Sequence, residues 1–96
     1  MAAAYIHPSA NVDARAEIGE GTRVWINVQV REHARIGRDC IISKDVYLDH
    51  AVQVGDRCKI QNSVSVYNGV SIGDDVFVGP NVALTNDRVP RAFNTD

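Results

Sequence analysis

An aliphatic residue stands at every sixth position from Ile6 to Leu84, and the spacing never slips across fourteen consecutive hexapeptides ending at Val89. The fifth position of each unit is restricted as well, running from Ala10 and Ala16 through Thr22, Cys40 and Cys58 to Val82, until Arg88 breaks it. A period of six fits neither the 3.6 of an amphipathic helix nor an unbroken period of two, and fixed short repeats announce a solenoid. Each unit reads as a short strand followed by a corner, with polar or turn-forming residues between the two apolar positions.

Gly19, Gly37, Gly55 and Gly73 share the second position of every third unit, so three units close one coil. The expected reason for glycine there is a corner backbone at positive φ. Strands of successive coils then pair in parallel at roughly 4.8 Å, with the first and fifth positions filling the interior. The Ile-Gly-x-x-x-x pattern resembles the bacterial transferase hexapeptide repeat. That resemblance implies an all-β, left-handed parallel β-helix of about five triangular coils. Its hand comes from the resemblance alone, because the usual preference for right-handed crossovers points the other way. The expected organisation is one β-helical domain over residues 1–96, with repeats at 6–89 and a post-repeat tail at 90–96.

Ten basic residues against twelve acidic ones, interleaved along the chain, give a net charge of −2 and no basic stripe for nucleic acid. No apolar run could span a bilayer as a helix, and Met1 to Tyr5 lack the pattern of a signal peptide, so a cytoplasmic protein is expected. Cys40 and Cys58 lie 18 residues apart at fifth positions and should stack in one interior column. Parallel Cβ vectors suit a disulfide poorly, so both are read as buried thiols behaving as small hydrophobes. No other Cys or His shares the column, and no metal is expected.

Sorting the units by face places Glu32, His50, Asn68 and Asn86 at the third position of successive coils. Asp49, Tyr67 and Thr85 run beside them at the second position, and His33, Gly69 and Asp87 at the fourth. Asn offers donor and acceptor together, and imidazole is the side chain that exchanges a proton near neutral pH. Such a column suits a polar substrate. Asn is equally at home in turns, where it tolerates left-handed backbone. Both roles stay open from periodicity alone. His33 reads as a surface residue and His7, in His7-Pro8, as a corner.

The stretches Lys59-Ile60-Gln61-Asn62, Val64-Ser65-Val66-Tyr67, Gly69-Val70, Asp75-Val76-Phe77, Gly79-Pro80, Thr85-Asn86-Asp87 and Pro90-Arg91-Ala92 carry a second resemblance. They are similar to N-acetyltransferases acting on the 3-amino group of nucleotide-linked sugars, of the UDP-2-acetamido-3-amino-glucuronate and dTDP-3-amino-3,6-dideoxyhexose types. Ile6-His7-Pro8-Ser9-Ala10 and Arg23-Val24-Trp25 fit the same group. The resemblance implies acetyl transfer from acetyl-CoA, as co-substrate, to a nucleotide-sugar amine for cell-surface polysaccharide, in a groove between subunits of a homotrimer. It places Asn86 beside the reacting amine, and the polar column adds Tyr67, Asn68 and Asp87 as expected substrate-binding residues. Leu48-Asp49-His50 is similar to a neighbouring group of sugar N-acetyltransferases in which the His is the proposed base, implying that role for His50, with Asp49 or another carboxylate orienting its ring. Ser43 stands where the repeat expects Gly, and the resembling enzymes continue for several coils beyond Pro-Arg-Ala. The alternative is a non-catalytic or truncated β-helix that assembles with itself or a partner.

Overall fold

In the computed structural model, residues 3–86 are described, and they form fourteen two-residue parallel strands with no helix. One face stacks β1 (Tyr5–Ile6), β4 (Arg23–Val24), β7 (Ile41–Ile42), β10 (Lys59–Ile60) and β13 (Phe77–Val78). A second stacks β2 (Asn11–Val12), β5 (Gln29–Val30), β8 (Tyr47–Leu48), β11 (Ser65–Val66) and β14 (Ala83–Leu84). The third holds β3 (Glu17–Ile18), β6 (Arg35–Ile36), β9 (Gln53–Val54) and β12 (Ser71–Ile72). Every pair is in register at a spacing of 18 residues, as in Val30↔Leu48↔Val66↔Leu84. Fourteen strands on three faces make four complete coils and two strands of a fifth, an all-β parallel helix consistent with the left-handed winding. Arg88 and Pro90 to Ala92 lie outside the described residues.

Backbone hydrogen bonds hold the coils together in two directions. Strand N–H groups donate to the coil above, as from Arg23 to the Cys40 carbonyl at 2.9 Å and from Ile41 to that of Cys58 at 2.9 Å. Corner N–H groups donate to the coil below, as from Arg57 to the Arg38 carbonyl at 2.8 Å. Positive φ falls at the fourth position of eleven successive units, from Gly21 through Asn27, His33, Asp39, Asp45, Ala51, Arg57, Ser63, Gly69 and Asp75 to Asn81. Nine of these are not glycine; Asn and Asp tolerate the left-handed region best, while Ala51 and Arg57 each cost about 1 kcal/mol there.

The glycine column has a different cause from the one expected. Gly19, Gly37, Gly55 and Gly73 are not among the residues at positive φ. A Cβ on Gly19 would lie 2.6 Å from the carbonyl carbon and oxygen of Gly37, and one on Gly37 would lie 2.6 Å from the Gly55 oxygen. Close approach of stacked backbones excludes any side chain at Gly19, Gly37 and Gly55.

Val24, Val28, Ile42, Leu48, Val52, Ile60, Val64 and Val66 are fully buried from first and fifth positions. The ends are open, with Ile6 41% exposed and Val82 36% exposed. One corner column is polar inside. Thr22 Oγ1 donates to the Gly37 carbonyl at 2.7 Å and accepts the Cys40 N–H at 3.0 Å. The Cys40 thiol then donates to the Gly55 carbonyl at 3.1 Å, and the Cys58 thiol to that of Gly73 at 3.0 Å. Both cysteines are free and buried as expected, but they serve as hydrogen-bond donors rather than as plain hydrophobes. Burial pushes the Cys40 thiol pKa up, which keeps its proton available to donate.

In the first coil the corner N–H groups have no coil below, and side chains replace it. His7 Nδ1 accepts the Ser9 N–H at 3.0 Å, and Asp13 Oδ1 accepts the Arg15 N–H at 2.8 Å. The Arg15 guanidinium, followed by that N–H, lowers the Asp13 pKa to about 2.

Two predictions follow from these contacts. Gly37→Ala should lower unfolding free energy by roughly 1–3 kcal/mol or more through backbone overpacking, whereas Gly79→Ala, with open space at its Cβ among the described residues, should stay within about 0.5 kcal/mol, both read by urea denaturation. Asp13 should titrate by carboxyl NMR with a midpoint of about 2, moving upward in Arg15→Ala. Because its folded pKa is depressed, its stabilising contribution is present above the usual carboxylate range and fades as pH falls through about 2.

Candidate active site

The second face carries the predicted column. Its register puts Glu32, His50, Asn68 and Asn86 two residues beyond Val30, Leu48, Val66 and Leu84 on successive coils. His50, Asn68 and Asn86 are exposed. Asn68 Nδ2 donates to the His50 carbonyl at 2.9 Å and lies 3.5 Å from His50 Nδ1. The carbonyl bond is the short one, so the ring contact is weak, and no partner contacts Nε2 among the described residues.

Asn86 is positioned by what lies beneath it. Gly69 sits at φ +92, and a Cβ there would come within 2.6 Å of Asn86 Nδ2. The carboxamide therefore rests over a corner only glycine leaves open. Tyr67 stands beside Asn68 in sequence and tilts toward Tyr47, with ring centroids 6.0 Å apart. Asp87 lies outside the described residues.

Asp49 does not orient the imidazole ring. Its Oδ1 accepts the His50 backbone N–H at 2.9 Å and the Tyr47 hydroxyl at 3.0 Å, and its Oδ2 accepts the Asn68 backbone N–H at 2.9 Å. Both oxygens are engaged by the corner backbone and by Tyr47. Partial burial pushes the Asp49 pKa up, but the His50 and Asn68 N–H groups and the Tyr47 hydroxyl together outweigh it and hold it below the ordinary value.

Arg31 completes the cluster. It donates from Nη1 to the Tyr47 hydroxyl at 3.0 Å and from Nε to Glu32 Oε1 at 3.0 Å, while Nη1 lies 3.7 Å from Asp49 Oδ1. Its pKa is raised by Glu32 and then Tyr47, and that of Glu32 is lowered by its own backbone N–H and then Arg31. The column thus presents an imidazole and two amides above a charged base of Arg31, Glu32 and Asp49. Sequence reasoning missed Arg31 and Tyr47. The same 18-residue register held the signal, since Tyr47 occupies the sixth position of this face and Arg31 the second.

His33 is exposed at a corner with φ +62, and His7 caps a first-coil corner, as expected. Among the described residues no group of three or more His, Cys, Asp or Glu could hold a metal ion, and no helix is long and apolar enough to cross a membrane. A recess of about 380 Å³ lies on the third face, lined by Glu17, Gly19, Arg35, Gly37 and Gln53. It follows the side-chain-free glycine column, and His50 is not among its lining residues. The His50 column itself is open to solvent.

Known proteins sharing this architecture carry the comparison further. A histidine-to-asparagine mutant of perosamine N-acetyltransferase from Caulobacter crescentus, in complex with CoA and GDP-perosamine, superposes with a TM-score of 0.70 at 27% identity, covering 90% of this chain and 50% of that one. A histidine-to-alanine mutant of GDP-perosamine N-acetyltransferase from the same organism, with the same ligands, gives 0.65 at 26% identity and the same coverage. PerB from that organism, in complex with CoA and GDP-perosamine, gives 0.57 at 28% identity, again covering 90% and 50%. The chain spans about half the length of these structures. No curated protein sequence matches it. Residues 1–89 match the GMPPB C-terminal domain, and with nearly the whole repeat inside that match the chain belongs to the GMPPB C-terminal domain family.

Proposed function

We propose that this chain takes part in acetyl transfer from acetyl-CoA to the amino group of a nucleotide-linked amino sugar. The observation that carries the reading is a coincidence: the folds sharing 90% of this chain hold CoA and an amino sugar nucleotide, and the face carrying His50, Asn68 and Asn86 offers the chemistry such a pair needs. The amine nitrogen attacks the thioester carbonyl, a C–N bond forms, the C–S bond breaks, and CoA leaves as the thiol. His50 takes the proton the amine sheds and passes it to the departing sulfur. Asn86 orients the amine, while Tyr67, Asn68 and Asp87 contact the sugar nucleotide.

The open column supports a homotrimer, since a second chain laid along this face would exclude water from the reacting atoms. Free buried thiols at Cys40 and Cys58 suit a reducing cytoplasm. The product class fits the assembly of cell-surface polysaccharide such as lipopolysaccharide.

A second reading is a non-catalytic β-helix that assembles with itself or with other domains. It is favoured by membership in a family described as a C-terminal domain.

Incubation with acetyl-CoA and GDP-perosamine, followed by mass spectrometry of the sugar, separates the two. Under the enzymatic reading His50→Ala slows acetylation by roughly 10²–10⁴-fold and Asn86→Ala by about tenfold. A folded trimer that binds neither ligand by calorimetry, or a His50→Ala, Asn86→Ala double variant as active as the parent, would sink it in favour of the assembly role.

A further inference from the structure

Where the third position is not proline, as it is at Pro8 and Pro80, its N–H takes no part in the inter-coil ladder of the described residues and finds its partner outside it. On the glycine-bearing face carboxylates of the coil above supply that partner: Asp56 accepts from the Arg38 N–H at 2.9 Å, and Asp74 from that of Asp56 at 2.7 Å. On the His50 face a single carboxylate serves two coils. Asp49 accepts from the third-position N–H of its own coil, His50, and of the next, Asn68, each at 2.9 Å. Its side chain is only 16% exposed and is itself held by the Tyr47 hydroxyl at 3.0 Å, which Arg31 contacts in turn.

The ladder also holds this corner, through the Ala51 N–H to the Glu32 carbonyl at 3.0 Å and the Asp49 N–H to that of Val66 at 2.9 Å, but neither bond reaches the His50 N–H. Ala51, directly after His50, sits at φ +60, a conformation that disfavours a β-carbon. Local preference therefore does not hold the His50 backbone where it lies. The Asp49 carboxylate adds to the ladder the bond that the His50 N–H lacks, and it ties that corner to the backbone carrying Asn68.

We propose that Asp49 is the positioning residue of this site: by clamping the backbones of His50 and Asn68 it sets the separation of imidazole and carboxamide, so that its loss slows acetyl transfer without weakening acetyl-CoA binding. The proposal rests on the acetyl-transfer reading for its kinetic consequence, but its structural half stands apart. Asp49→Ala removes both acceptors. Asp49→Asn keeps an oxygen for the His50 N–H and Tyr47 and turns an amide donor toward the Asn68 N–H.

The test uses the full chain, with acetyl-CoA and GDP-perosamine as substrates and amide hydrogen exchange as a second readout. Asp75→Asn, which breaks the exposed Arg57–Asp75 pair on a different corner, is the control. In Asp49→Ala, kcat should fall roughly tenfold or more with KM for acetyl-CoA within about twofold, and the His50 and Asn68 amides should both exchange faster. In Asp49→Asn only the Asn68 amide should be released, with an intermediate kcat. The control should match the parent in all three. Unchanged exchange at both amides would overturn the proposal, as would a kcat loss accompanied by faster exchange in every coil. A parent chain without acetyl transfer would remove the enzymatic reading alone, leaving the exchange data to decide whether Asp49 holds the two corners.

Discussion

Parallel coils stacked at roughly 4.8 Å by a two-way backbone ladder are the constraint from which the rest of this molecule follows. Strand N–H groups bond upward and corner N–H groups bond downward, so each coil positions its neighbours through many short bonds of modest individual worth. That spacing leaves no room for a β-carbon at Gly19, Gly37 or Gly55. It also brings the fifth-position side chains Thr22, Cys40 and Cys58 against the backbone of the next coil. At one corner the Thr22, Cys40 and Cys58 side chains exploit this, passing hydrogen bonds from coil to coil within the interior. Where the stack stops, the same ladder leaves unpaired groups, and His7 and Asp13 take over as acceptors at the first coil.

Stacking also makes a site out of residues that are distant in sequence. His50, Asn68 and Asn86 are 18 residues apart and occupy adjacent rungs because the strands beneath them are in register. Such a platform is stiff, since moving one rung means breaking the ladder bonds of two coils. The polar network beneath it, from Arg31 through Tyr47 to Asp49, adds fixed charge and defined backbone positions without occupying the His50 ring. A single chain nevertheless presents this column on an open surface. Excluding water from a thioester there needs a second surface, which ties the proposed chemistry to the proposed assembly.

Much of this was legible from spacing. A one-dimensional period of six, with glycine every third unit, is enough to assign strands, faces, interior positions and the His50 column, because the coil repeats without insertion. Physical causes were harder to read. Glycine could mark either positive φ or close approach, and only the stacked carbonyls distinguish them; the left-handed corner falls two positions later, at residues as varied as Asn27, Ala51 and Arg57. Asp49 beside His50 suggested a carboxylate on the imidazole, yet its oxygens turn to the backbone N–H groups that the ladder leaves over. Arg31 and Tyr47 escaped notice because their importance lies in contacts with one another across coils.

By itself, then, the sequence determined the fold, the pairing register and which side chains share a face, because a fixed period in the chain maps onto a fixed period in space. Tertiary structure alone decided which partners each side chain takes. Hydrogen bonds depend on orientation and on distances of a few tenths of an ångström, and periodicity carries neither. His50 was thus predictable as a member of the column, while the carboxylate clamp that places it was visible only once the coils were stacked.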